Sequence, residues 1–167
     1  MIGMKEGIEE FLFQKKPVKA ILALKKADKP LYAAIISKEI DSTYAHTLNV
    51  VSALKELKLV NFHEEGRINQ VFLTEVGLEA ANVIENLLEL FKLSELEYKL
   101  DLLYEKDIKG KLREDINKKH VLGRLDNYKG DLELIIKEKP QNISQLAEKL
   151  FKKADWISRE VTGLVVG

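Results

Sequence analysis

From residue 29 to residue 74 the spacing of apolar positions predicts a helix, a turn, a second helix and then a two-stranded hairpin. Ile36 and Ile40 lie four residues apart, and after a turn at Asp41, Ser42 and Thr43 the pattern resumes at Thr47, Val51 and Leu54. Spacings of four and three bring these side chains onto one stripe that faces a core. Thr43 suits the N-cap of the second helix, because its hydroxyl can accept from an otherwise orphaned backbone N–H. The opposite face carries Tyr44, His46, Asn49 and Ser52, hydrogen-bonding side chains long enough to reach base edges in a major groove. Past Leu57 the period becomes alternating, with Val60 and Phe62 on one side and Asn61 and His63 on the other, so a strand follows. Glu65, Gly66 and Arg67 form the turn, Ile68 to Leu73 the returning strand, and Thr74 caps another helix that opens on Glu75.

The flanking segments read mostly as helix. Lys5 to Lys16 predicts a short helix with Ile8, Phe11 and Leu12 on one side, and Pro17 starts a second, where its missing N–H costs nothing. Lys29 to Leu31 can add a short third strand. Leu78, Ala81, Ile84, Leu88 and Phe91 predict a helix after the hairpin. The box Ser94-x-x-Glu97 places a break and a further helix from Glu95 to about Asp107, with Leu96, Leu100 and Leu103 as its stripe. Gly110, Gly123 and Gly130 punctuate the next region, where Lys111 to Leu122 predicts one helix with Leu112, Ile116 and Val121 inside. Leu132, Ile135 and Ile136 belong to a helix that ends before Pro140, and Asn142-x-x-Gln145 caps the next. That one is expected to break after Leu150 and resume at Ile157, Val161 and Leu164. Shifted by 110 residues, this end of the chain overlies the first unit, Leu146 on Ile36 and Val161 on Val51, so a second helix-turn-helix is expected there. It would be a poor DNA reader: Lys153 stands in for the capping Thr43, Asp155 is the better cap, and Trp156 replaces His46. Ser158 and Arg159 resemble the Ser-Arg of many recognition helices, but a wingless packing or partner-binding module is the favoured reading of this unit over DNA contact.

Composition narrows the field. The hydrophobic share of 46% in 167 residues is enough for a core, in one large or two small domains. No apolar run approaches the length of a membrane span, and Lys5, Glu6, Glu9 and Glu10 occupy the place of a signal peptide's apolar segment, so the expectation is a cytoplasmic protein. The absence of cysteine removes disulfides and thiolate metal sites. Richness in Lys, Glu, Ile and Leu fits a thermophilic prokaryote. With 27 basic and 27 acidic residues the net charge is zero, so any affinity for DNA has to come from local clusters. These are Lys15, Lys16, Lys19, Lys25 and Lys26, then Lys55 and Lys58, then Arg67. His46, His63 and His120 lack the paired spacing of a metal site, and the chain has neither a Gly-rich phosphate loop nor a nucleophile elbow. An enzyme is not expected, nor is a cofactor.

The segment Ala33-x-x-Ile36-Ser37-x-x-Ile40, a turn, His46-Thr47-Leu48-Asn49-x-Val51-x-x-Leu54, Leu59-Val60, a wing and Phe72-Leu73-Thr74-x-x-Gly77 resembles the winged helix-turn-helix of MarR-like prokaryotic, archaeal-type transcription regulators. The resemblance implies a mainly α fold: a three-helix core plus a β-hairpin wing over residues 1–92, and a helical C-terminal domain over 93–167 for dimerisation or a second helix-turn-helix. It implies sequence-specific binding of double-stranded DNA by a homodimer, with helix 43–58 in the major groove and wing 64–68 on the backbone or minor groove. The DNA-binding residues would be Ser42, Thr43, Tyr44, His46, Asn49, Ser52, Lys55 and Arg67. The rival is a winged-helix adaptor that binds protein without reading DNA, and a third reading adds a small-molecule effector held among the C-terminal helices.

Overall fold

A computed structural model of the chain describes residues 8–12, 14–65 and 68–163. It divides into two compact units, residues 1–85 and 86–167; the sequence pattern placed the boundary after residue 92. The fold is mainly helical with one small antiparallel sheet.

In the first unit α1 (Ile8–Leu12) and α2 (Lys15–Ala27) precede β1 (Leu31–Tyr32), α3 (Ala33–Glu39), α4 (Tyr44–Glu56), β2 (Val60–Glu65) and β3 (Ile68–Leu73). α2 begins two residues ahead of Pro17, which sits in its first turn, still among the N–H positions that need no intrahelical partner. The short third strand forms: β1 pairs with β3, giving the sheet order β1-β3-β2. Val60 and Val71 are buried while Asn61 and His63 face solvent, which is the alternation expected of a half-buried hairpin. Ile21, Leu24, Ile36, Ile40, Val51 and Leu54 meet these strands in one core. Asp28, Asp41 and Lys58, at the ends of α2, α3 and α4, all adopt positive φ, so each of the three helices stops on a left-handed residue without a glycine.

A long helix, α5 (Glu75–Asp107), starts in this unit and continues into the second, which also holds α6 (Lys118–Glu138) and α7 (Gln141–Thr162). The break expected at Ser94 does not occur, and Ser94 is an exposed mid-helix residue. Nothing near it terminates a helix, and Leu93, Leu96, Leu100 and Leu103 keep one unbroken stripe through it. The helix predicted from Lys111 is also corrected. Gly110 at φ +74° ends the preceding turn, residues 111–117 run as turns with Leu112 exposed, and α6 starts only after Asn117, whose side chain accepts from the His120 N–H. Gly123 and Gly130 lie on the exposed side of α6, where they interrupt nothing.

The second helix-turn-helix is overturned. α7 is continuous from Gln141 to Thr162, and its buried residues Ile143, Ala147, Leu150, Ala154, Ile157 and Val161 alternate spacings of four and three. Ala154 bridges the gap in which a turn was expected, so Asp155 caps nothing. Leu164 lies outside the described residues. Asn142 is not the cap of α7 either, since Pro140 holds that place without a side-chain bond. Val121, Leu125, Leu132 and Ile135 of α6 continue the same spacing, and the three helices share one core of coiled-coil-like stripes.

Asp155 instead accepts a hydrogen bond from Lys129 at 3.1 Å and pairs with Arg159 at 2.8 Å. The Lys129 ammonium, and then the Arg159 charge, hold the Asp155 carboxyl below its usual range. A carboxylate whose folded pKa is depressed contributes stability above its unfolded pKa and loses it as pH falls through the folded value. Asp155→Asn is therefore expected to lower the melting temperature at neutral pH, with the difference from wild type closing in acid as pH falls through the depressed folded pKa. A gap that stayed constant into acid would show that the ion pair contributes nothing.

Candidate functional site

The site is built on α4. Thr43 caps it as expected, its Oγ1 accepting from the His46 N–H at 3.3 Å. Thr47, Val50, Val51, Ala53 and Leu54 bury one side, and Thr47 satisfies its own hydroxyl on the Thr43 carbonyl at 2.9 Å. That leaves Tyr44, Ala45, His46, Leu48, Asn49, Ser52, Lys55 and Glu56 exposed. At about 100° per residue, Ala45, Asn49, Ser52 and Glu56 form the middle of the outward face. Leu48 and Lys55 stand on one flank, with Tyr44 behind them, and His46 stands on the other. Tyr44, His46, Asn49, Ser52 and Lys55 are therefore together on one helix, but Tyr44 and His46 diverge to either side of Asn49. Ser42 is half-buried in the turn before the cap. Gly66 and Arg67, the expected wing tip, lie outside the described residues.

The lysines expected to meet phosphate separate into two kinds. Lys16 donates to the carbonyls of Ile40 (2.8 Å) and Asp41, closing the C-terminal end of α3, and Lys25 pairs with Glu85 at 2.5 Å. These two hold the fold. Lys15, Lys26, Lys55 and Lys58 are exposed, and the Lys55 ammonium lies 4.4 Å from the centre of the Phe62 ring, which fixes it at the junction of α4 and β2.

Two features escaped the pattern analysis. One is that carboxylates are distributed unevenly: residues 11–27, 42–55 and 66–74 contain none. Across 11–74 the basic residues Lys15, Lys16, Lys19, Lys25, Lys26, Lys29, Lys38, Lys55, Lys58 and Arg67 outnumber the acidic residues Asp28, Glu39, Asp41, Glu56, Glu64 and Glu65 by ten to six. Counting by halves of the chain averages this away, because acids crowd residues 6–10 and 75–89. The other is apolar exposure, with Ile35 42%, Tyr44 56% and Leu48 39% accessible on α3 and α4.

Elsewhere, the second unit has an open groove of about 460 Å³ between α5 and α6, lined by Glu89, Lys92, Leu96, Lys99, Leu134 and Lys139 among others. Glu89 is buried there and pairs with Lys92 at 2.9 Å and Lys139 at 3.5 Å. Trp156 is half-exposed against Tyr104, with ring centres 5.4 Å apart. Among the described residues no group of three or more potential ligands could hold a metal ion, and no helix is long and apolar enough to cross a membrane.

No family model matches the chain, and no curated protein matches it. Among solved structures, the crystal structure of AF1382 from Archaeoglobus fulgidus is similar over 49% of this chain and 93% of that one, at 20% identity and a TM-score of 0.46.

Proposed function

We propose that the chain is a winged helix-turn-helix regulator, MarR-like in kind, that binds double-stranded DNA as a homodimer with α4 in the major groove. The observation that carries this is the outward face of α4, which holds no carboxylate from Ser42 to Lys55 and meets its first, Glu56, only at the C-terminal end of the helix, in a segment with a local excess of positive charge. In a chain so rich in Asp and Glu, such a face lets a polyanion approach without like-charge repulsion. Asn49, at the centre of the face, has the amide that pairs with adenine, and Tyr44 and His46 reach the neighbouring positions. Lys55 supplies phosphate contact at the end of the helix, and β2 with β3 forms the wing.

The homodimer is supported by α5. Leu96, Leu100 and Leu103 are buried in the second unit's own core and are not free for a two-fold contact. Leu87, Leu90, Phe91 and Tyr98 of the same helix face solvent, Phe91 and Tyr98 by 63% and 66%.

Asn49→Ala is expected to relax sequence preference by roughly 1–3 kcal/mol at one position of the site. Lys55→Ala is expected to weaken every duplex about equally and to reduce the salt slope by about one. Fluorescence anisotropy at two salt concentrations checks both, and if neither substitution alters binding to any duplex, α4 is not the reading element. The exposed Ile35, Tyr44 and Leu48 favour a second reading, a winged-helix adaptor for a protein partner. Wild-type protein that retains no duplex at low salt would decide for that one.

A further inference from the structure

We infer that α4 reads A·T base pairs, with Asn49 on adenine and with Leu48 and Ala45 on the 5-methyl groups of thymine. This rests on the DNA-binding reading above and narrows it to a chemical class of site. A major-groove reader recognises guanine chiefly through Arg or Lys on O6 and N7, and cytosine through Asp or Glu accepting from N4. From Thr43 to Ser52 the outward face has none of these four residue types, and Lys55 and Glu56 follow only at the C-terminal end of α4, a turn beyond Ser52. It does present an amide, which suits the N6 and N7 edge of adenine, and an exposed aliphatic side chain beside it, Leu48, 39% accessible. Thymine is the base whose major-groove edge carries a methyl group.

The spacing suits adjacent pairs. Ala45 and Asn49 are separated by about 6 Å along the helix axis, close to two base-pair steps, and Leu48 lies one position back on the flank. An apolar side chain left exposed beside the central amide is otherwise unused in the first unit, whose core is closed without it. Against a thymine methyl it loses its contact with water.

The test uses the full chain and a library of random duplexes, from which bound fragments are selected and sequenced. Half-sites centred on A·T pairs are expected. In the selected duplex, replacing the central thymines by deoxyuridine removes only the methyl groups. It should weaken wild-type binding about threefold to fivefold for each methyl in contact. On Leu48→Ala, whose fold is monitored by circular dichroism, the same replacement should cost less than on wild type, because only the Ala45 contact is left to lose. A selected core of G·C pairs, or equal affinity for thymine and deoxyuridine duplexes, overturns the inference and leaves the DNA reading in place. Retention of no duplex at all overturns both.

Discussion

Replacing Gly77 with alanine is expected to destabilise the first unit by about 3 kcal/mol or more, although the residue lies in the first turn of a helix, where alanine ordinarily gains about 1 kcal/mol over glycine. A Cβ built at Gly77 falls 1.8 Å from the Leu59 carbonyl oxygen and 2.8 Å from its carbon. The obstacle is backbone, and it is held. The Leu59 carbonyl accepts from the Thr74 N–H at 3.1 Å. The Thr74 hydroxyl donates to the Lys58 carbonyl at 2.7 Å and accepts from the Gly77 N–H at 3.0 Å. Relieving the clash means pulling the start of α5 off the entry to β2 and giving up these bonds together. For a unit of this size the melting temperature should fall by on the order of 15 °C. A melt within a degree or two of wild type would mean that the close approach is not a structural requirement. Serine should behave like alanine, since the clash is at Cβ.

The largest functional effect is expected from Leu87→Glu combined with Phe91→Glu. Both side chains face solvent on α5 within the second unit, so the substitutions remove no core contact, and circular dichroism should be unchanged. In a two-fold contact each copy would bring both residues to the same patch, placing four carboxylates in an apolar interface without partners. The variant is expected to sediment as a single chain. On the proposed dimer two linked half-site contacts would give way to one, so affinity for a two-half-site duplex should fall by about a hundredfold. Wild-type protein that is already a single chain at the concentrations of the binding assay would rule out the dimer, and a variant that stayed dimeric would place the contact elsewhere.

Much of the first unit was legible in the residues. Thr43 as a cap, the buried stripe on α4 and the hairpin alternation at Val60 to His63 are all local features. In each, a hydroxyl or a period of two or of about 3.6 decides the outcome within a few residues. The errors were also local signals, taken without their surroundings. Ser94-x-x-Glu97 and Asn142-x-x-Gln145 have the form of capping boxes, but a box marks a helix start only where the apolar stripe begins, and Leu93 to Leu103 run straight through the first one. At the other end, the break expected after Leu150 leaves out Ala154, which is fully buried and continues the stripe of α7. Packed between facing helices, a methyl group in register holds the line as well as a leucine. Lys16 and Lys25 could not be told from their free neighbours in the sequence, because their partners, Ile40 with Asp41 and Glu85, lie 24 to 60 residues away.

By itself, then, the sequence determined where the chain turns from helix to strand in its first half and which side of α4 is polar, since those follow from side-chain chemistry and spacing. Only the tertiary structure decided which lysines are tied down, which leucines of α5 are already buried, that α7 is one helix, and that Gly77 has no space for a side chain. Those outcomes depend on which distant surfaces meet, and a periodic pattern specifies that a face is buried without specifying what buries it.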